Sequence, residues 1–141
     1  MHDFPTVREN IKRNITEVKS IISAPNVLDP LESRVFDRGI YLFQSITKSM
    51  IGIGNNIIIE NSFRTPLNTA DVFISLAEHN VILPAIIPGM KKAAITMPRL
   101  KNYQKTELVD VITGCIDDFS RCLNSYESYF QKRETGGQEC R

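Results

Sequence analysis

Residues 29–61 read DPLESRVFDRGIYLFQSITKSMIGIGNNIIIEN. Asp29 is a good N-cap and Pro30 suits the first helical position, where a missing N–H costs nothing. No breaker follows before Asn61, so the spacing predicts one long helix. Leu31, Val35, Leu42, Ile46, Met50, Ile53 and Ile57 form one apolar stripe, and Phe36, Ile40, Phe43 and Ile58 form a second. A helix apolar on two sides has to be covered on both, here by its own chain and by an expected second copy. Gly39, Gly52 and Gly54 lie inside this helix, where a glycine costs about 1 kcal/mol relative to alanine. Each marks either a close approach of another segment or a tolerated weak point.

The same period extends outward in both directions. Upstream, Val7, Ile11, Ile15, Val18 and Ile22 recur every three or four residues, with Pro5 in the first turn and Ala24-Pro25-Asn26 as the stop. Downstream, residues 62–68 read as a loop with Arg64 as a surface residue, and Thr69 can cap a short helix carrying Val72, Phe73, Leu76 and Ala77. Pro84, Pro88 and Gly89 limit residues 85–94 to one or two helical turns, and Pro98 makes residues 95–105 partly irregular. From Thr106 a stripe of Leu108, Ile112, Cys115, Phe119, Cys122, Tyr126 and Tyr129 predicts the last long helix. No stretch alternates as a strand would, which makes the chain a helical bundle. We expect a single domain over residues 1–131 and a flexible C-terminal tail over 132–141, around Gly136 and Gly137.

Composition narrows the function. With 141 residues, 42% hydrophobic and 23% charged, the chain is long enough for one core and too apolar for disorder. A net charge of +1 argues against a surface built throughout to hold nucleic acid. Cys115, Cys122 and Cys140 are too few for a disulfide framework, which points to a reducing, cytoplasmic location. The apolar stretch at 50–59 is too short and too interrupted to span a membrane, and Met1-His2-Asp3 does not begin a secretory signal.

Few residues suggest chemistry. Neither His2 nor His79 has a second histidine, a cysteine or a paired carboxylate at ligand spacing, so no metal and no cofactor is expected. Cys115 and Cys122 fall on the apolar stripe and belong to the core. Asp117 and Asp118 are adjacent and diverge on a helix, so they form no acid–base pair. One segment departs from the background: between Glu78 and Glu107 no acid occurs, while Lys91, Lys92, Arg99, Lys101 and Lys105 do, with Tyr103 among them. These cations are candidates for binding phosphate or RNA. Otherwise they form a solvated face neutralised by Glu60, Glu107 or Asp110.

Three motifs in order, IGIGNNII at 51–58, FISLAEHNVI at 73–82 and IDDF at 116–119, resemble the HepT family of HEPN-domain proteins over about residues 6–130. The resemblance implies an all-α, HEPN-like bundle of two long antiparallel helices with an N-terminal helix and short helices, assembled as a homodimer. In that family an arginine and a histidine from each chain meet in a shared cleft and cut RNA without a metal. A nucleotidyltransferase antitoxin of the MntA type silences the toxin by attaching AMP to a tyrosine two places after the histidine. The chemistry needs a base for the ribose 2′-hydroxyl proton and a cation for the charge developing on phosphate.

The family's motif falls here on residues 96–103. Leu100 keeps its aliphatic and Tyr103 its AMP-acceptor tyrosine, but Thr96 stands for the arginine, Met97 for the asparagine and Lys101 for the histidine, with Pro98 inside. In the long helix, Gly52 and Asn56 stand where many relatives carry an acid and a histidine. A lysine is ordinarily protonated near pH 7 and is a poor base there. The degenerate positions Thr96 and Lys101 thus imply an inactive protein that binds a nucleotidyltransferase, RNA or both. The alternatives are a residual or altered RNase using Arg99, Lys101 and Tyr103, and a nucleotide- or nucleic-acid-binding module without catalysis.

Overall fold

The computed structural model describes residues 4–24 and 33–139, the side chains of Ser33 and of 134–139 excepted. Five helices account for most of it: α1 (Phe4–Ile22), α2 (Ser33–Asn61), α3 (Asp71–Glu78), α4 (Ile87–Thr96) and α5 (Lys105–Glu139). Short 3-10 turns at Pro84–Ile86 and Met97–Asn102 flank α4. The expected start at Asp29-Pro30, Leu31 of the first stripe, the stop at Pro25-Asn26, His2 and Cys140 lie outside the described residues.

Helix α2 is the axis of the bundle. Leu42, Ile46, Met50, Ile53 and Ile57 of one stripe and Phe36, Phe43 and Ile58 of the other are all buried, whereas Val35 is 36% exposed. Helices α1 and α5 cover one side and α3 and α4 another. Apart from Val35, both apolar faces are therefore closed by the chain itself and need no second copy to cover them.

The expected antiparallel pairing of the two long helices is not observed. Lys105 sits over Phe36, Phe119 against Phe43, Tyr126 at Met50 and Arg133 at Glu60, so α2 and α5 run in the same sense. It is α1 that lies antiparallel to both, with Ile21 beside Gly39, Phe4 on Phe130 and Lys12 on Glu127. The reason is the 43-residue segment between Asn61 and Lys105, which carries α3 and α4 back to the level where α2 began.

Two glycines of α2 resolve in opposite ways. A Cβ at Gly54 would lie 2.8 Å from Val72, 2.9 Å from Leu76 and 3.0 Å from the hydroxyl of Tyr126, which donates to the Met50 carbonyl at 2.9 Å. Glycine there lets a buried tyrosine reach the backbone. Gly52 faces open space and is a weak point only.

Further differences from the sequence reading are local. Helix α4 is ten residues long, not one or two turns, because Pro88 falls in its first turn, where no N–H is missed. Helix α3 begins after Ala70, and it is the Asn68 side chain, not Thr69, that accepts the Asp71 N–H at 2.9 Å. The backbone of α5 continues to Glu139, through part of the stretch assigned to the tail.

Candidate functional site

The cationic segment begins in α4. Met90, Ala93, Ala94 and Thr96 face the core, which leaves Lys91, Lys92 and Ile95 on the outside. Asp118 of α5 lies against Gly89 so closely that a side chain there would collide with its carboxylate. A carboxylate suits the first turn of α4, where backbone N–H groups are unpaired. Pro98 then falls in the first turn of the 3-10 segment Met97–Asn102, which is broken by non-helical backbone at Arg99 (φ −115, ψ 19) and ends on extended Tyr103. Glu107 reaches back to the Gln104 N–H at 3.2 Å and caps α5.

This path separates the candidates. Lys91 and Arg99 share a shallow groove of about 360 Å³ with Leu67, Asp71, Ile74 and Pro98. Lys92 is exposed on the side where its charge is felt by the Cys115 thiol. Lys101 is exposed, and Tyr103 is half-buried against the edge of the core. Lys105 folds away from them, its ammonium 5.4 Å from the centre of the Phe36 ring. Thr96 is 1% exposed. None of the five cations forms an ion pair among the described residues; of the carboxylates that could neutralise them, Glu60 is engaged by Arg133 and Glu107 by the cap.

Arg64 is exposed, as its sequence context predicts, and is at the same time a clamp. It makes two hydrogen bonds to Asp71 (2.7 and 3.0 Å) and two to Glu78 (3.0 and 2.6 Å), while Ser75 donates to its carbonyl at 2.9 Å. The Arg64 guanidinium, with the Leu67 N–H, holds the Asp71 carboxyl down to about 2. The signal was available: Asp71 and Glu78 are seven residues apart on one helix and so share a face. Burial pushes the thiols of Cys115 and Cys122 up to about 11 and about 12, as core cysteines require.

Neither a protein-family model nor a curated protein matches the sequence. Solved structures do. A chain of a mutant MntA-HpeT toxin-antitoxin superposes with a TM-score of 0.79 at 18% identity, over 91% of this chain and 99% of that one. A toxin-antitoxin structure with AMP-PNP gives 0.79 at 19% identity, with the same coverage. The tri-AMPylated Shewanella oneidensis HEPN toxin in complex with MNT antitoxin gives 0.75 at 20% identity, over 89% and 96%. This chain has the fold of a HepT-like HEPN domain. Within that HEPN fold, Gly52 and Asn56 lie one turn apart on the exposed strip of α2, and Thr96 points inward at the end of α4. The positions that resemble the family's motif therefore do not converge on one set of exposed polar groups.

Proposed function

We propose that this chain is a HepT-like member of a toxin–antitoxin pair that no longer cleaves RNA and acts, as a homodimer, by binding a nucleotidyltransferase, RNA or both. One observation carries this reading: Thr96, at the position that resembles the family's arginine, is a neutral side chain only 1% exposed. A buried hydroxyl cannot stabilise charge on a phosphate as a guanidinium does. The groups that binding requires are still present. Tyr103 stands at the position that resembles the family's tyrosine, and Lys91, Lys92, Arg99 and Lys101 are exposed and carry no ion pair among the described residues.

The test is incubation with an MntA-type nucleotidyltransferase and ATP, followed by peptide mass spectrometry and a metal-free RNA cleavage assay. A stable complex or AMP on Tyr103, without cleavage above a buffer control, is the expected result. Cleavage that disappears in Lys101→Ala would overturn it in favour of an altered RNase, and absence of complex, label and RNA binding would overturn it outright. Sedimentation of the purified chain reads the homodimer directly.

A further inference from the structure

A second groove, of about 780 Å³, lies at the opposite end of α3 and shares no lining residue with the one holding Lys91 and Arg99. Its size falls within the range of about 300–1,000 Å³ typical of ligand sites. One wall is the corner after α2, with Asn61 and Phe63; the floor is His79 and the connection that follows it; the other wall is a polar face of α5. Along that face the side chains of Asn124, Ser125 and Ser128 make no hydrogen bond among the described residues, and Arg121 and Lys132 stand near its ends. No carboxylate lines the groove. Arg133 is held by Glu60 and Arg121 touches Asp118 at 3.2 Å, whereas Lys132 has no ion-pair partner among the described residues.

The floor is aromatic. The His79 ring is stacked on Phe63 with centroids 3.8 Å apart and planes 6° from parallel, and the residue is exposed. In a neutral ring, the contact of Nδ1 with the Ser75 carbonyl at 3.0 Å places the proton on Nδ1 and leaves Nε2 as an acceptor. Leu83, 63% exposed, provides apolar surface at the rim. The Tyr129 hydroxyl accepts from Asn61 at 2.7 Å and retains a proton to donate.

We infer that this groove binds an unpaired nucleic-acid strand, with a base stacked on the open face of His79 and the backbone following α5 from Arg121 to Lys132. The eleven-residue separation of those cations spans about 16 Å at 1.5 Å per residue. That length exceeds a single nucleotide. Aromatic platforms beside a cation-lined track are how proteins hold single strands without reading sequence. The inference is independent of the binding surface around Lys91 and Tyr103, and its failure would leave that reading standing.

The experiment is a titration of the full chain with a short oligoadenylate, read by fluorescence anisotropy and by the imidazole proton signals, of which the chain has only two sets. Saturable binding with an upfield ring-current shift of the His79 signal is expected. His79→Ala should weaken binding about tenfold, in line with the loss of one base–aromatic stack. Lys132→Glu, a surface change that spares the fold, should weaken it and flatten its salt dependence. Lys48→Glu, equally exposed on α2 and outside the groove, should change neither the shift nor the affinity by more than the altered net charge explains. Overturning results are an unmoved His79 signal, equal affinity for AMP and the oligonucleotide, equal effects of ribose 5-phosphate, or an equal loss in Lys48→Glu.

Discussion

The His79 imidazole lies flat on the Phe63 ring, 3.8 Å from it between centroids. Two similar helix ends make this possible. At the end of α2 the Phe63 N–H returns to the Ile58 carbonyl and the Ser62 N–H to that of Ile59; at the end of α3, Val81 returns to Leu76 and Asn80 to Ala77. Both are Schellman closures, which need a left-handed residue just past the helix. Ser62 (φ 55) and Asn80 (φ 60) fill that place without being glycine.

A non-glycine residue in left-handed backbone costs about 1–2 kcal/mol, less for asparagine, whose short side chain tolerates it. Ser62→Gly should therefore stabilise the protein by about 0.5–1 kcal/mol after the extra entropy of the unfolded glycine is subtracted. Asn80→Gly should gain less. Urea unfolding of the two variants measures the difference, and a loss of stability in Ser62→Gly would contradict the account.

The glycines of α2 should respond with opposite signs. Gly52→Ala adds a methyl to open space and should stabilise by about 0.5–1 kcal/mol through helix propensity. Gly54→Ala drives a methyl into Val72, Leu76 and Tyr126 and should destabilise by about 1–3 kcal/mol, as overpacking does. Thermal melts of the pair decide it; like signs would refute the packing described around Tyr126.

Acid should act through Asp71. Its folded value of about 2 lies below the usual 3.8, so the stability it contributes is complete above pH 4 and is lost as pH falls through 2. Asp71→Asn should cost stability at neutral pH and flatten the profile between pH 4 and 2. An unchanged slope in that window would show that the Arg64 clamp does not hold in solution.

Alkali should act through the core. Cys115 and Cys122 are pushed from 9.0 to about 11 and about 12, and Tyr126 is raised well above 10, all chiefly by burial. The folded chain keeps protons that the unfolded chain releases, so this contribution is whole below pH 9 and declines as pH rises through 11 and 12. Tyr126→Phe should lose about 1 kcal/mol near neutrality with its hydrogen bond to Met50, and part of the alkaline decline with it. In the native protein the two core thiols should resist a thiol reagent until unfolding, which peptide mapping after labelling would reveal.

How much was legible differs from helix to helix. The stripes of α2 and α5 could be read because a 3.6-residue period is local, and the buried set Leu42, Ile46, Met50, Phe119 and Tyr126 follows from it. Helix α4 was underestimated because a proline reads alike whether it breaks a helix or opens one; the difference lies in where the preceding chain arrives. At the candidate site the run of cations was plain in the sequence. That Lys105 turns to Phe36, that Thr96 faces inward and that Lys91 shares a groove with Arg99 was not.

By itself, then, the sequence determined the long helices, their apolar faces and the fate of the two core cysteines, since each depends on neighbours a few positions away. Tertiary structure alone decided that α2 and α5 run in one direction, that Arg64 is the cation reaching the face shared by Asp71 and Glu78, and that Phe63 meets His79. Those contacts join separate helices and loops, and their geometry comes from how the long return through α3 and α4 packs, which no local period encodes.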